Sequence, residues 1–268
     1  MNTYILHSLD ESIANKLSEN WLKHNTHIRF QSNKNLDLST LRQQYKVDIN
    51  LIPKNFNPKK IELFISDMDS TLINIECVDE IADFANVKPQ VAEITELAMQ
   101  GKLDFSTSLK QRVALLKNLP IKILEKVFNE RLQINGGGEK LIKFLNKKNI
   151  KTVLVSGGFT FFVNKLKQKL NLTTVLANEL EVNNNLLTGR IIGDIVDAQA
   201  KADCLKNLCE KYQISLKNTI AIGDGANDLL MMKIAGLSIA YHAKTIVKNQ
   251  TDIVIDYGDL SLVLDLLS

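Results

Sequence analysis

Short apolar runs alternate with amphipathic stretches along most of this chain, and the two periods predict an α/β architecture. Ile61-Glu62-Leu63-Phe64-Ile65-Ser66, Lys151 to Val155 and Thr219 to Ile222 are brief, apolar and followed by Asp, Ser or Gly, so they read as buried parallel strands. Further strands are predicted near 237–240 and 252–255. Helices are predicted over 138–148, over 159–170 with Phe162, Leu166 and Leu170 in register, over 198–212 with Ala202, Leu205, Cys209 and Tyr212 in register, and at the end of the chain. Val175 to Val182 and Leu186 to Ile192, joined by Asn183-Asn184-Asn185, read as a β-hairpin. The alternation implies a doubly wound parallel sheet with both faces covered.

Two regions break that rhythm. Residues 1–53 read as a small α/β appendage: a strand at Tyr4 to Leu6, a helix with Ile13, Leu17 and Trp21 on one face, a strand at His27 to Phe30, a short helix, and a strand from Val47 to Ile52. Residues 54–60 carry Pro58 after Pro53 and read as a linker into the core, which takes 61–74 and 134–268. Residues 75–133 are all helical in pattern, with helices near 76–86, 89–100, 104–117 and 121–130; Pro89 and Pro120 stand at or just before helix starts. An insertion placed directly after the first acid-bearing strand is expected to act as a cap over the strand ends. No catalytic candidate lies in residues 1–53, so some turnover is expected to survive their removal.

Composition narrows the function classes. The 268 residues are 45% hydrophobic, enough for a sizeable core. The formal charge is only +3, and lysines such as Lys147, Lys148, Lys165, Lys167 and Lys169 are spread out, which argues against a nucleic-acid partner. Cys77, Cys204 and Cys209 are odd in number and lack metal-site spacing, so reduced thiols and a cytoplasmic location are expected. The start shows no export signal, and no run approaches the length of a membrane span, about 20 residues, so no membrane partner is expected.

Candidate chemistry gathers at strand ends. Asp67 and Asp69 close the first apolar run, in Asp67-Met68-Asp69-Ser70-Thr71; in an extended chain their side chains leave on one side, and a cation or proton between them would relieve their repulsion. Ser156-Gly157-Gly158 follows the second strand. Ser156 is expected to cap the next helix while the glycines let backbone N–H groups approach an anion. The third strand runs into Gly223-Asp224-Gly225-Ala226-Asn227-Asp228, whose carboxylates could hold a divalent cation before a helix starting near Ala226. Lys201 lies in a helix start capped by Asp197.

In order and spacing, the acid pair, Ser-Gly-Gly, the lysine and Gly-Asp-Gly-Ala-Asn-Asp resemble the motif series of the haloacid dehalogenase superfamily of phosphohydrolases, from about residue 61 to the C-terminus. The likeness is nearest to its phosphoserine-hydrolysing branch, because Asp-Met-Asp-Ser-Thr-Leu-Ile is followed by Glu76 and a helical stretch with Phe105 and Arg112. The resemblance implies a Rossmann-like core and hydrolysis of a small molecule, O-phosphoserine, in the last step of serine biosynthesis. It implies Asp67 as nucleophile, Asp69 as general acid and base, and Ser156, Gly157 and Lys201 as phosphate clamp. By the same likeness Mg²⁺ is held by Asp67, Asp224 and the Asp69 carbonyl, with Asn227 and Asp228 nearby, and Glu76, Phe105 and Arg112 recognise the substrate. Two other classes stay open on the sequence: a phosphatase of the same fold acting on another phosphate ester, and a ligand sensor without catalysis.

Overall fold

The computed structural model describes residues 1–98 and 100–268 in full and residue 99 by its backbone alone. The first residues form β1 (Asn2–Leu6), α1 (Glu11–Leu17), β2 (Trp21–Lys23), β3 (Ile28–Ser32), α2 (Leu38–Tyr45) and β4 (Ile49–Leu51), with strand order β2-β3-β1-β4, all antiparallel. This is the split β-α-β-β-α-β arrangement. The expected first helix was too long. It stops at Leu17, where Ser18 turns extended and donates its N–H to Ala14 O, so Trp21 lies on an additional strand and packs on the small core of Tyr4, Leu6, Ala14, Ile28, Phe30 and Ile49 from there.

The larger sheet begins with β5 (Leu63–Ser66). After it come the helices α3 (Cys77–Phe84), α4 (Lys88–Met99), α5 (Phe105–Ala114) and α6 (Lys122–Glu130), close to the predicted spans. The chain then runs through α7 (Gly138–Lys147), β6 (Lys151–Phe159), α8 (Thr160–Leu170), β7 (Thr174–Asn183), β8 (Leu186–Ile192), α9 (Ala198–Tyr212), β9 (Thr219–Gly223), α10 (Leu229–Ile234), β10 (Leu237–Tyr241), α11 (Thr245–Lys248), β11 (Ile253–Ile255) and α12 (Leu262–Leu266). Strand order is β11-β10-β9-β5-β6-β7-β8, parallel throughout except for β7 with β8. The expected hairpin is present, turned by Asn184 and Asn185 at φ 49° and 61°, and β7 also joins the parallel sheet.

Alternation along the strands feeds two apolar layers. Leu63, Ile65, Val153, Val155 and Ala221 point to the face covered by Leu205 and Cys209 of α9 and Met231 and Met232 of α10. Phe64, Leu154, Ile220 and Ile222 point to the other face, where Leu141 and Leu145 of α7, Phe162 and Leu166 of α8 and the helices between β5 and α7 lie. At about 1.5–3 kcal/mol for each large apolar side chain buried, these layers hold the strand ends in place. The chain runs outward from β5 in both directions, to β6 and to β9. That change of direction at the C-terminal strand ends is where open α/β sheets bind ligands. Among the described residues no helix is long and apolar enough to cross a membrane.

The N-terminal elements are fastened to this sheet by buried polar groups. Asn50, fully buried, donates from Nδ2 to Val254 O and accepts at Oδ1 from Val254 N–H, each at 2.9 Å, so one side-chain amide stands in for a neighbouring strand beside β11. Asp48 accepts the backbone N–H groups of Asp256, Tyr257 and Gly258 at 2.7, 3.1 and 2.8 Å. Replacing Asn50 with Leu leaves both Val254 groups without those partners, at about 1–3 kcal/mol for each. We expect the melting temperature of Asn50→Leu to fall by several degrees in thermal unfolding; an unchanged value would show that this contact contributes nothing.

Candidate active site

Three adjacent strand ends assemble the site. Asp67 follows β5 and donates its N–H to Ile222 O on β9 at 3.0 Å, which locks the two ends together. The chain turns at once: Met68–Leu72 form one wide turn in which Asp69 and Ser70 leave helical geometry, Ser70 at φ 55°. Because the turn starts one residue after Asp67, strand alternation no longer applies, and the two acids part. Asp67, Asp224 and Asp228 each turn one carboxylate oxygen to within 4.8 Å of the others, whereas Asp69 accepts the Cys77 N–H at 3.2 Å. The reading that put a cation between the side chains of Asp67 and Asp69 is therefore corrected. The carboxylate that completes the cluster is Asp228.

Lys201 is no surface lysine. It is fully buried, with Nζ 2.5 Å from Asp67 Oδ1 and 2.7 Å from Asp228 Oδ1. Helix α9 aims it there because Asp197 caps the helix by accepting the Ala200 N–H at 2.9 Å, one turn before the lysine. Burial works against its charge, but the carboxylates of Asp228 and Asp67 outweigh that and hold it protonated. Three carboxylates against one ammonium leave surplus negative charge. Burial and the neighbouring acids push Asp67 well above the usual carboxylate range despite Lys201, and burial with Asp228 pushes Asp224 up to about 6. The cluster holds oxygen donors alone, so it fits a hard divalent cation.

Asp69 meets different surroundings. Burial, with the Glu76 carboxylate adding to it, raises its carboxyl to about 7, so much of it keeps its proton at neutral pH. A Cβ on Gly158 would stand 2.7 Å from Asp69 Oδ2 and 3.0 Å from Ser156 Oγ, so only glycine leaves room for the acid there. Ser156 differs from expectation. Strand β6 continues through the glycines to Phe159 before α8 begins, so Ser156 does not cap that helix; its Oγ accepts the Gly158 N–H at 2.8 Å. Nor does α10 start at Ala226: a tight turn over Ala226–Asp228 precedes it, letting Asp228 accept the Gly225 N–H at 3.1 Å as well as the Lys201 ammonium. Asn227 sits in that turn with its Oδ1 against Gly225.

The helices between β5 and α7 lean over these strand ends. The Phe105 ring lies on Gly157, its Cζ 2.7 Å from where a Cβ would project. Glu76, raised by burial, accepts the Ser70 hydroxyl at 2.6 Å. Burial disfavours the charge of Arg112, which is supported by Asp79, Glu76 and Asp69; its Nε is buried with no hydrogen-bond partner among the described residues. All the candidate residues thus meet at one end of the sheet or in the helices over it. Sequence reasoning gave no role to Ser70 or to Thr71, whose hydroxyl donates to Asp224 Oδ1 at 2.8 Å. Both sit inside the motifs it singled out.

Comparison with known proteins agrees with this geometry. Residues 64–233 match the model of the haloacid dehalogenase-like hydrolases. A phosphoserine phosphatase of Haemophilus influenzae is 46% identical over 226 residues, covering 84% of this chain and 72% of that protein. The solved, unliganded structure of a probable phosphoserine phosphatase from Vibrio cholerae aligns with a TM-score of 0.86 at 36% identity, over 99% of this chain and 86% of that one. A substrate-bound phosphoserine phosphatase aligns with a TM-score of 0.73 at 43% identity, over 78% and 99%.

Proposed function

The chain belongs to the haloacid dehalogenase-like hydrolases, and from that premise we infer that it hydrolyses O-phosphoserine to serine and phosphate, the last step of serine biosynthesis. The observation that carries the reading is the fully buried Lys201 paired with Asp67 and Asp228 at the strand ends. A phosphate monoester dianion repels an attacking carboxylate; a lysine in this position neutralises part of that charge and favours the ionised form of Asp67 against the burial and neighbouring acids that raise it. Asp67 attacks phosphorus in line and forms an aspartyl-phosphate, which splits the hydrolysis into two easier steps. Asp69, protonated at the first step, gives its proton to the departing serine oxygen; as a carboxylate it then takes a proton from the water that cleaves the acyl phosphate.

Ser156, Gly157, Lys201 and Asn227 are assigned to the phosphate. Glu76 takes the substrate ammonium, the Arg112 guanidinium takes its carboxylate, and Phe105 closes over Gly157. Residues 75–133 serve as the lid that brings these groups to the core. The oxygen-donor cluster fits Mg²⁺, which Asp67, Asp224 and the Asp69 carbonyl would hold, with Asp228 beside them. When bound, it would neutralise phosphoryl oxygens and help to orient them.

Phosphate release measured over a panel of phosphoamino acids and sugar phosphates, with and without Mg²⁺, tests the whole reading. We expect phosphoserine to be preferred, activity to vanish in excess chelator, and Ca²⁺ to substitute poorly because of its longer bonds and looser geometry. Full activity in chelator would overturn the metal assignment, and an equal rate on sugar phosphates would overturn the substrate.

A further inference from the structure

Asn178 stands on β7, in a stretch that the sequence marked only as one arm of a hairpin, and it is 1% exposed. Its amide is used at both ends. Nδ2 donates to Gly157 O at 2.7 Å, and Oδ1 accepts the Val196 N–H at 2.8 Å. The orientation is forced, since a carbonyl needs the NH₂ end and an N–H needs the oxygen.

The Gly157 partner follows from the sheet. β6 and β7 are in register at Val155 with Leu176 and again at Phe159 with Asn178, so positions 155 to 159 on one strand span only 176 to 178 on the other. Ser156-Gly157-Gly158 therefore bulges out of the ladder. A bulge leaves backbone groups unpaired, and buried ones must find another partner. The Asn178 amide fills that role for the Gly157 carbonyl, whose peptide neighbours the backbone N–H groups offered to phosphate. Val196, its other partner, immediately precedes Asp197, the cap of α9, and the Lys201 N–H donates back to Asp197 O at 3.0 Å. One rigid amide thus touches both arms of the clamp.

We propose that Asn178 is a positioning residue for phosphate, fixing the Gly157 peptide and the helix that carries Lys201 at the separation a phosphoryl group needs. This rests on the reading of Ser156, Gly157 and Lys201 as the phosphate clamp. Asn178 touches no substrate atom. It acts by holding both arms before the phosphate arrives, as groups behind a site commonly do. Leucine at 178 keeps the volume and loses both hydrogen bonds; aspartate keeps the acceptor for Val196 and loses the donor to Gly157.

Calorimetric binding of inorganic phosphate and of serine to Asn178→Leu and Asn178→Asp, beside Lys201→Ala and with thermal unfolding of each, tests the proposal. We expect phosphate affinity to fall by about 10- to 100-fold in Asn178→Leu, the range common for groups behind a site. Serine affinity should hold, because serine engages Glu76 and Arg112. If Asn178→Leu does not fold, Asn178→Asp carries the test with the same expectation. A lowered melting temperature with unchanged phosphate affinity, while Lys201→Ala loses it, would make Asn178 a residue of stability alone and overturn the proposal. Unchanged affinity in Lys201→Ala as well would overturn it too, and would trace the failure to the clamp reading itself.

Discussion

Asp69→Asn is expected to cut phosphoserine turnover by about 10²–10⁴-fold, the usual worth of general acid and base help, yet to spare phosphoryl transfer from p-nitrophenyl phosphate. The asymmetry comes from the leaving groups. A serine alkoxide is strongly basic and needs a proton as it departs, whereas p-nitrophenolate leaves unaided. Asp69 is suited to supply that proton because burial and Glu76 raise its carboxyl to about 7. Asparagine keeps the shape and still accepts the Cys77 N–H, so the difference isolates proton transfer. Release of p-nitrophenolate in the first turnover, followed by rapid quench, reads the step directly. Asp67→Asn should abolish reaction with both substrates, since no aspartyl-phosphate can form. Equal losses on both substrates in Asp69→Asn would remove the acid role.

Arg112→Ala should separate the same two substrates for another reason. Phosphoserine brings a carboxylate that p-nitrophenyl phosphate lacks, and leaving it unpaired in a closed site costs roughly 2–5 kcal/mol. That corresponds to a fall in kcat/KM of between about 30- and several-thousand-fold. Glu76→Gln should show the same preference through the ammonium. Arg112 is half-buried, its Nε buried and unpartnered among the described residues and its charge supported by Asp79, Glu76 and Asp69, so it needs little reordering to meet a carboxylate. Part of the loss should appear in kcat, because binding energy from the amino-acid end helps to close the helices and orient the phosphate. If both variants weakened the two substrates alike, Arg112 and Glu76 would be structural.

What could be read beforehand was whatever local pattern controls. Apolar runs ending in Asp67, Ser156 and Asp224 marked three neighbouring strand ends, and the 198–212 periodicity matched α9 at both ends: Asp197 caps its start, and Gln213, left-handed at φ 56°, ends it. What escaped depended on partners far away in sequence. Ser156 looked like a helix cap because Ser before a helical pattern usually is one; the β7 pairing instead draws β6 on to Phe159. Trp21 fitted a helical face, and only pairing with Phe30 shows it to be on a strand. Asp228 passed for a supporting residue, since nothing local says that Lys201 will reach it. Asn178 carried no signal at all: an asparagine in a strand is ordinary until the bulge opposite it is known.

The Asn50 amide on β11 also bears on how the protein is made. Its partner lies 204 positions further along the chain, and Asp48 reaches Gly258 across 210. Contacts so remote carry a high loop-closure cost and a slow route to formation. During synthesis β4 emerges 204 positions ahead of the residue that its amide pairs with. Until then the outer edge of β4 and the buried carboxylate of Asp48 face solvent. An uncovered strand edge is a template for pairing with another chain. The nascent protein is therefore most open to aggregation through its N-terminal sheet, and a chain cut short before Ile253 keeps that edge exposed for good.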